Sequence, residues 1–374
     1  MTGRRRLRSG SAGLVLLLTL PVPLSAEQGG PDPRSVTLGR AGWQAIEGGR
    51  AQDAAGLFEK AIAIDPRSAT YRLGAGLAAH LLGQPAVART ELEQALQLDP
   101  GLTPASLLLG VLLYRENDLQ GAIRVYEEAA ARAPDDPQFA ARLERWRKEA
   151  ELHDAFRLTM STNFTVLFEG PAEESLASKA LEVLEAAYWR VGTALFTYPP
   201  DVLTVVLYTQ EQFRDITRSP GWAAGLFDGK IRVPVRGALE HPQEFERVLT
   251  HEFTHALVRS LAPRDVPVWL NEGLAGVFER GDLGWAEETV RDAKALIPLE
   301  RLHGSFSGLS GADAKLAYAE SALAARYLLD QAGAPPVVAL LRDLGSGVEF
   351  SEAFSQRILM PYADFQATWA RSLR

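Results

Sequence analysis

Two histidines four residues apart, His251 and His255, are the side chains of this sequence best placed to do chemistry. On a helix, this spacing puts both imidazoles on one face about one turn apart, which lets two ring nitrogens reach one metal ion at about 2.0–2.1 Å. Glu252 lies beside that face and can take a proton from the water that such a site activates. Glu272, on a following helix, can supply a third ligand and leave a fourth position open. The sequence therefore predicts a hydrolytic zinc site with one ion per chain.

Each of these ligands also has a purely structural interpretation. Two histidines four apart can lie on a surface helix without a common role, although apolar residues surround this pair: Phe245, Val248, Leu249, Ala256 and Leu257. They indicate a buried helix, in which paired imidazoles and a carboxylate need a partner that a metal ion supplies. Glu272 can instead be an acid favoured by the helix dipole in the turn after Pro267. Of the other histidines, only His241, at the start of the same helix, is a candidate for supporting the site.

The composition excludes several classes of function. With 39 basic and 47 acidic side chains in 374 residues, the chain is mildly acidic and has no basic stripe interleaved with aromatic residues, so we expect no nucleic-acid binding. It contains no cysteine, which removes disulfides, thiolate metal ligands and a cysteine nucleophile. The length predicts two or three domains.

The first residues have the features of a secretory signal. Arginines at four of the first eight positions precede an apolar segment at 13–20, and residues 21–26 offer a small-residue cleavage site. An uncleaved membrane anchor is the less favoured alternative, because the apolar segment is far shorter than the roughly 20 residues that span a bilayer. We expect a signal peptide over 1–26, a linker over 27–34, no stable membrane span after cleavage, and an exported protein, periplasmic or secreted, of a bacterial cell envelope.

Five positions in the first third of the chain repeat with a period of 34 residues. They are Pro66, Pro100 and Pro134; Gly42, Gly76 and Gly110; Ala54, Ala88 and Ala122; Ala61, Ala95 and Ala129; and Phe58, Leu92 and Tyr126. This pattern resembles the tetratricopeptide repeat over residues 35–136, as three units. Small residues let the two helices of a unit approach closely, the large residue fills the gap between units, and proline ends the second helix. The resemblance implies a helical solenoid that binds a protein partner, which the sequence does not identify.

Residues 137–157 follow helical spacing and are predicted to form a helix that caps the repeats. Its apolar face carries Phe139, Leu143, Trp146 and Ala150. Its other face is charged, and we expect it to be solvated: Arg145, Arg147, Lys148, Glu149 and Glu151. This organisation predicts that residues 35–157 fold as a separate module.

The remaining residues, 160–374, predict a small mixed β-sheet lobe followed by a helical lobe, so the fold class is α+β. Alternation and turn residues predict strands at 163–168, 202–208 and, about an Asp228-Gly229 turn, within 225–235, with a helix over 173–196 between the first two. Pro234 cannot donate a ladder hydrogen bond, so its strand is predicted to be an edge to which an extended peptide can add. From Pro242 onward the pattern is helical.

The segment Trp269-Leu270-Asn271-Glu272-Gly273-Leu274-Ala275 resembles the third-ligand segment of the gluzincin metallopeptidases. Residues 160–374 as a whole resemble the bacterial peptidase MA-like family, which pairs such a domain with tetratricopeptide repeats in exported proteins. The resemblance implies that Glu252 is the catalytic base. In gluzincin aminopeptidases a tyrosine that opens a helix after the third ligand donates a hydrogen bond to the tetrahedral intermediate, and Tyr318 matches it in order and setting. The alternative for Tyr318 is an ordinary tyrosine at the edge of the core.

The resemblance therefore implies an exported zinc-dependent metallopeptidase that acts on a peptide or protein substrate. The segment that captures a substrate amino terminus in true aminopeptidases has no counterpart here, which favours an endopeptidase. Two other classes remain: a catalytically idle, peptidase-like scaffold protein of the cell envelope, and a zinc hydrolase that cleaves a non-protein bond such as a cell-wall cross-link.

Overall fold

The computed structural model describes residues 32–373, apart from 134–135, 219–223, 236–237, 239 and 280–281. The predicted signal peptide and Pro134 of the repeat therefore lie outside the described residues. Within those residues there are sixteen α-helices and one five-stranded sheet. None of the helices in this part of the chain is both long and apolar enough to cross a membrane.

The first seven helices form the predicted solenoid, with consecutive helices packed against each other. They are α1 (Pro33–Glu47), α2 (Ala51–Ile64), α3 (Ala69–Leu81), α4 (Pro85–Leu98), α5 (Thr103–Arg115), α6 (Leu119–Arg132) and α7 (Pro137–Asp154). The repeated glycines are needed because each one faces a repeated large residue. A Cβ at Gly110 would lie 2.2 Å from the Tyr126 ring, and one at Gly76 would lie 2.8 Å from Leu92. The repeat pattern thus encodes close helix contacts, as predicted.

Helix α7 caps the solenoid through its apolar face, on which Phe139 and Trp146 pack against the ring of Tyr126. The prediction that its charged face is solvated is wrong at one position. Glu149 is fully buried. Lys148 donates a hydrogen bond to Asp215 at 2.6 Å, on a helix of the following domain. Two residues of the charged face of α7, Lys148 and Glu149, therefore contact the following domain.

The sheet has the strand order β1-β2-β3-β5-β4. Its strands are β1 (Arg157–Met160), β2 (Phe164–Phe168), β3 (Leu203–Tyr208), β4 (Leu226–Phe227) and β5 (Ile231–Pro234). Strands β2, β3 and β5 are parallel, and β1 and β4 pair antiparallel at the two edges. One face packs on α8 (Glu174–Leu195) and the other on α9 (Gln210–Thr217), so successive residues of β3 enter different cores. Strand β1 and helix α9 are elements that the sequence did not predict.

The prediction that Pro234 marks an edge strand is wrong. Strand β5 lies between β3 and β4, and β4 is the edge. Proline is tolerated because β4 pairs only with Ile231 and Arg232, so nothing on that side requires a donor at position 234. On the other side, the N–H of Val235 donates to the carbonyl of Tyr208. On this side of the sheet, strand addition would therefore involve β4 and not β5.

The helical lobe follows the sheet. It consists of α10 (Pro242–Leu261), α11 (Val268–Glu279), α12 (Gly284–Arg291), α13 (Gly311–Ala332), α14 (Ala334–Gly345), α15 (Phe350–Ile358) and α16 (Tyr362–Ser372). Helix α10 contributes side chains both to the core under the sheet and to that of the helical lobe. Helices α11 and α13 approach closely at Gly273, where a Cβ would lie 2.2 Å from the carbonyl oxygen of Ser321. The predicted fold class, a helical solenoid followed by an α+β domain, is confirmed.

A buried polar cluster joins the solenoid to the sheet. The Arg232 guanidinium, fully buried on β5, donates to Glu149 at 3.0 Å and to the hydroxyl of Tyr114 at 2.6 Å, both of them on solenoid helices. Lys230, also buried, donates to Glu149 at 3.2 Å. Asp228 completes the cluster by accepting from the Arg232 Nε at 3.0 Å. Because the solenoid and the sheet bury these charged side chains together, residues 35–157 share an interface with the rest of the chain, whereas the sequence predicts a separate module for them.

Candidate metal centre

Helices α10 and α11 bring the three predicted ligands together. The Nε2 atoms of His251 and His255 are 3.0 Å apart, and the Oε2 atom of Glu272 lies 3.5 Å from the first and 3.6 Å from the second. Among the described residues, these three form the one group suited to holding a metal ion. A tetrahedral zinc with ligands at about 2.0–2.1 Å separates its ligand atoms by about 3.3 Å. The donor set and its spacing therefore fit zinc.

Glu279, two turns after Glu272 on α11, orients one of the ligands. Its Oε2 accepts from the Nδ1 of His251 at 2.6 Å and from Arg247 at 2.8 Å. A proton held on Nδ1 leaves the Nε2 lone pair free to face the centre, which is how ligand histidines are commonly fixed. Sequence reasoning missed this residue. Its spacing of seven from Glu272, which keeps both on one helix face, was the available signal.

The surrounding carboxylates favour positive charge at the centre. Burial lowers the pKa of His251, but the hydrogen bonds to Glu272 and Glu279 outweigh it and raise that pKa to about 10. Burial opposes ionisation of Glu272, yet its two histidine partners hold its pKa well below the usual range. The Nδ1 atom of His255 is buried and has no hydrogen-bond partner among the described residues.

Glu252 stands beside the ligands and is not one of them. It is only 6% exposed, and its carboxylate rests against Gly225, where a Cβ would lie 2.6 Å from Oε1. Burial raises the pKa of this carboxyl, and the charges of His255 and His251 offset part of that rise. A carboxylate with a raised pKa next to an activating centre is suited to take up a proton.

Tyr318 lines the same cavity, of about 430 Å³, as the ligands. The prediction that it opens its helix is wrong, since α13 begins at Gly311 and Tyr318 lies two turns further on. Its ring packs edge-on against Phe306 at 5.3 Å. Burial, together with the charges of Glu272 and Glu252, raises the pKa of Tyr318 to about 12, so the phenol stays protonated and able to donate a hydrogen bond at neutral pH.

The cavity has two further walls. The edge of the sheet provides one, through Gly225, Leu226 and Phe227, and the segment 262–266 after α10 provides the other. His241 does not reach the cavity, because it caps the start of α10, about 15 Å along the helix from His251. Its position agrees with a residue at the start of a helix and not with the alternative that it supports the site.

The family comparisons agree with this arrangement. Residues 205–374 match the model of the Peptidase MA superfamily, and residues 40–103 and 79–145 match two models of the tetratricopeptide repeat. The chain carries a Peptidase MA superfamily domain preceded by tetratricopeptide repeats. The first match begins inside β3, but β2 and α8 share the core of that strand, so the domain extends further toward the solenoid.

Several solved tetratricopeptide structures are similar to about a third of this chain. The first tetratricopeptide domain of Spaghetti (RPAP3), bound to an HSP90 peptide, is 19% identical and covers 32% of this chain and 96% of its own, with a TM-score of 0.30. That of human RPAP3 is also 19% identical, covering 32% and 93%, with a TM-score of 0.30. The Sgt2 domain from Aspergillus fumigatus is 23% identical and covers 35% and 87%, with a TM-score of 0.32. No curated protein matches the chain.

Proposed function

We propose that this protein is an exported zinc metallopeptidase that hydrolyses internal peptide bonds. The observation that carries the proposal is the convergence of His251, His255 and Glu272 on one point, with Glu252 beside them and outside the ligand set. When bound there, a zinc ion supplies a Lewis acid that polarises the carbonyl and makes water a better nucleophile. An idle, peptidase-like scaffold would have no need to keep all four of these side chains in register.

The chain's own residues account for the proton transfers. Glu252 takes the proton of the attacking water and then gives it to the departing amine. The hydroxyl of Tyr318 donates a hydrogen bond to the oxyanion that develops on the carbonyl. Glu279 keeps the His251 ring in the tautomer and orientation that the ligand role requires.

The sheet edge gives an extended substrate a place to lie. Leu226 and Phe227 of β4 line the cavity, and β4 is the last strand on that side of the sheet. A peptide that adds to β4 has main-chain hydrogen bonds available next to Glu252. We therefore transfer the predicted strand addition from residues 231–235 to this edge, and we assign the tetratricopeptide repeats to binding a protein partner.

Metal content and cleavage, measured on the same samples, test the proposal. We expect about one zinc per chain in the wild type, unchanged zinc in Glu252→Gln, and loss of zinc in His255→Ala. An unbiased peptide library should be cleaved by the wild type, and Glu252→Gln should be slower by several powers of ten. Equal zinc in wild type and His255→Ala would refute the ligand assignment. Full zinc with no peptide cleavage would favour the scaffold, or a hydrolase of another bond.

A further inference from the structure

The cavity extends away from the metal centre along α10. Arg259 and Ala262 continue the helix face of His251 and His255, and both line the same cavity. Arg259 is one helical turn, about 6 Å, beyond His255. The cavity ends at the loop after α10, where Arg264 lies. Two arginines thus line the part of the cavity that holds no proposed ligand or base.

These arginines differ from the other arginines buried in this domain. Arg232 and Arg247 each pair with two carboxylates. Arg259 and Arg264 are half-buried, and among the described residues neither forms an ion pair. Arg264 donates from Nη2 to the carbonyl of His80 at 2.6 Å, while its Nη1 is buried with no hydrogen-bond partner in this part of the structure. A guanidinium that is largely withdrawn from water is stabilised by an anionic partner, so these two side chains are suited to bind one.

The electrostatics of this end of the cavity point the same way. Burial, together with the positive charges of Arg264, Arg115 and Arg259, lowers the pKa of His80 to about 3. The carboxylates that act on the two cavity arginines are Asp228, which already pairs with Arg232, and Asp265, which is exposed at the rim. A chain with a formal net charge of −8 therefore holds a positive region inside its cleft.

We propose that Arg259 and Arg264 form a subsite for a carboxylate of the substrate, which is an acidic side chain or a free C-terminus close to the bond that is cut. The position of this carboxylate next to a cleaved bond rests on the function proposed above, whereas carboxylate binding itself does not. Arginine suits this role because its planar fork can bind a carboxylate through two hydrogen bonds. An extended peptide advances about 3.3 Å per residue. Because Arg259 is about 6 Å beyond His255, a carboxylate bound to Arg259 belongs to a substrate residue about two positions from the residue at the metal centre.

Peptide binding tests the subsite without relying on catalysis. Four fluorescein-labelled peptides of one sequence, with a central Glu or Gln and a free or amidated C-terminus, are titrated by fluorescence anisotropy into zinc-loaded, full-length Glu252→Gln. We expect one of the two carboxylates to tighten binding about tenfold to a hundredfold, and the four peptides show which. Arg259→Gln and Arg264→Gln should each remove that preference and leave the Kd of the uncharged peptide unchanged. Arg291→Gln, an exposed arginine on α12, is the matched control.

Arg259→Lys is the second variant, because it keeps the charge and should retain part of the preference. Equal affinity for all four peptides, or a preference that survives Arg259→Gln together with Arg264→Gln, overturns the subsite. The two proposals fail differently. Cleavage of neutral and acidic peptides at equal rates removes the subsite and keeps the peptidase. Selective carboxylate binding without any cleavage keeps the subsite and removes the peptidase.

Discussion

At the scale of single residues, Glu279 allows the orientation of a metal ligand to be tested without removing any ligand, because it contacts His251 and is not itself a ligand. In Glu279→Gln all three ligands stay. The neutral amide, however, no longer supplies the negative charge that holds the His251 ring and the Arg247 guanidinium. Loss of such a partner typically lowers metal affinity about 10–100-fold. Competition against a chelator should show this drop in zinc affinity.

Glu244→Gln is the matched control for that measurement. Glu244 also pairs with Arg247 but makes no contact with His251 that would orient the ring. Zinc affinity should therefore stay at the wild-type value in this variant. An equal loss in both variants would mean that Arg247, and not the His251 contact, is what matters.

Tyr318→Phe separates a role in the transition state from a role in packing. Removing only the hydroxyl should lower kcat and kcat/KM together by about 10²–10³-fold and leave KM and Tm nearly unchanged. The phenyl ring can still pack against Phe306. Full activity with a lowered Tm would instead mean that Tyr318 is an ordinary tyrosine at the edge of the core. Steady-state kinetics and thermal melts on the same samples decide between them.

At the scale of elements, the contact between α7 and β5 predicts an acid-sensitive interface. Burial opposes ionisation of Glu149, but the charges of Arg232 and Lys230 outweigh it and hold its pKa at about 2, against an ordinary 4.5. The folded state therefore binds this proton less readily than the unfolded state. The resulting stability is present in full above pH 4.5, declines as the pH falls toward 2, and amounts to about 3 kcal/mol. Urea unfolding measured from pH 7 down to pH 2 covers the whole of this decline.

Glu149→Gln should remove most of that pH dependence. It leaves the buried ammonium of Lys230 without its anion and leaves Arg232 with Asp228 alone, which typically costs about 3–5 kcal/mol in the free energy of unfolding at pH 7. Glu151→Gln, an exposed acid on the same helix, should have almost no effect. Similar losses in both variants would show that the charge of α7 as a whole, and not the buried contact, is responsible.

The contacts between elements also show which features could be predicted from the sequence and which could not. Residues whose neighbours are close along the chain could be placed, such as the His251–His255 pair on one helix and the repeated glycines that face Phe58, Leu92 or Tyr126. Contacts between distant segments could not. Glu149 meets Arg232 across 83 positions, and nothing in the pattern of α7 distinguishes a buried acid from a solvated one. The edge position of β4 depends in the same way on how strands are ordered in space.

At the scale of the whole molecule, the buried cluster predicts that solenoid and peptidase-like domain unfold together. Separating them would expose Glu149 and Arg232, which are now fully buried, and would break the hydrogen bond between them. Calorimetry on the full chain should show one transition, with calorimetric and van't Hoff enthalpies that agree. Two resolved transitions would instead support the separate module that the sequence predicts for 35–157.

The β4–β5 hairpin is a single short segment with two neighbours. Its first residues, Gly225 to Phe227, line the cavity, and Lys230 and Arg232 are held by the solenoid. A hairpin shared in this way can couple two ligands, a protein bound to the repeats and a substrate in the cavity. If a protein bound to the repeats displaces the hairpin and thereby changes substrate affinity by some factor, bound substrate must change the affinity for that protein by the same factor. Titrating either ligand in the presence of the other would then return one coupling free energy.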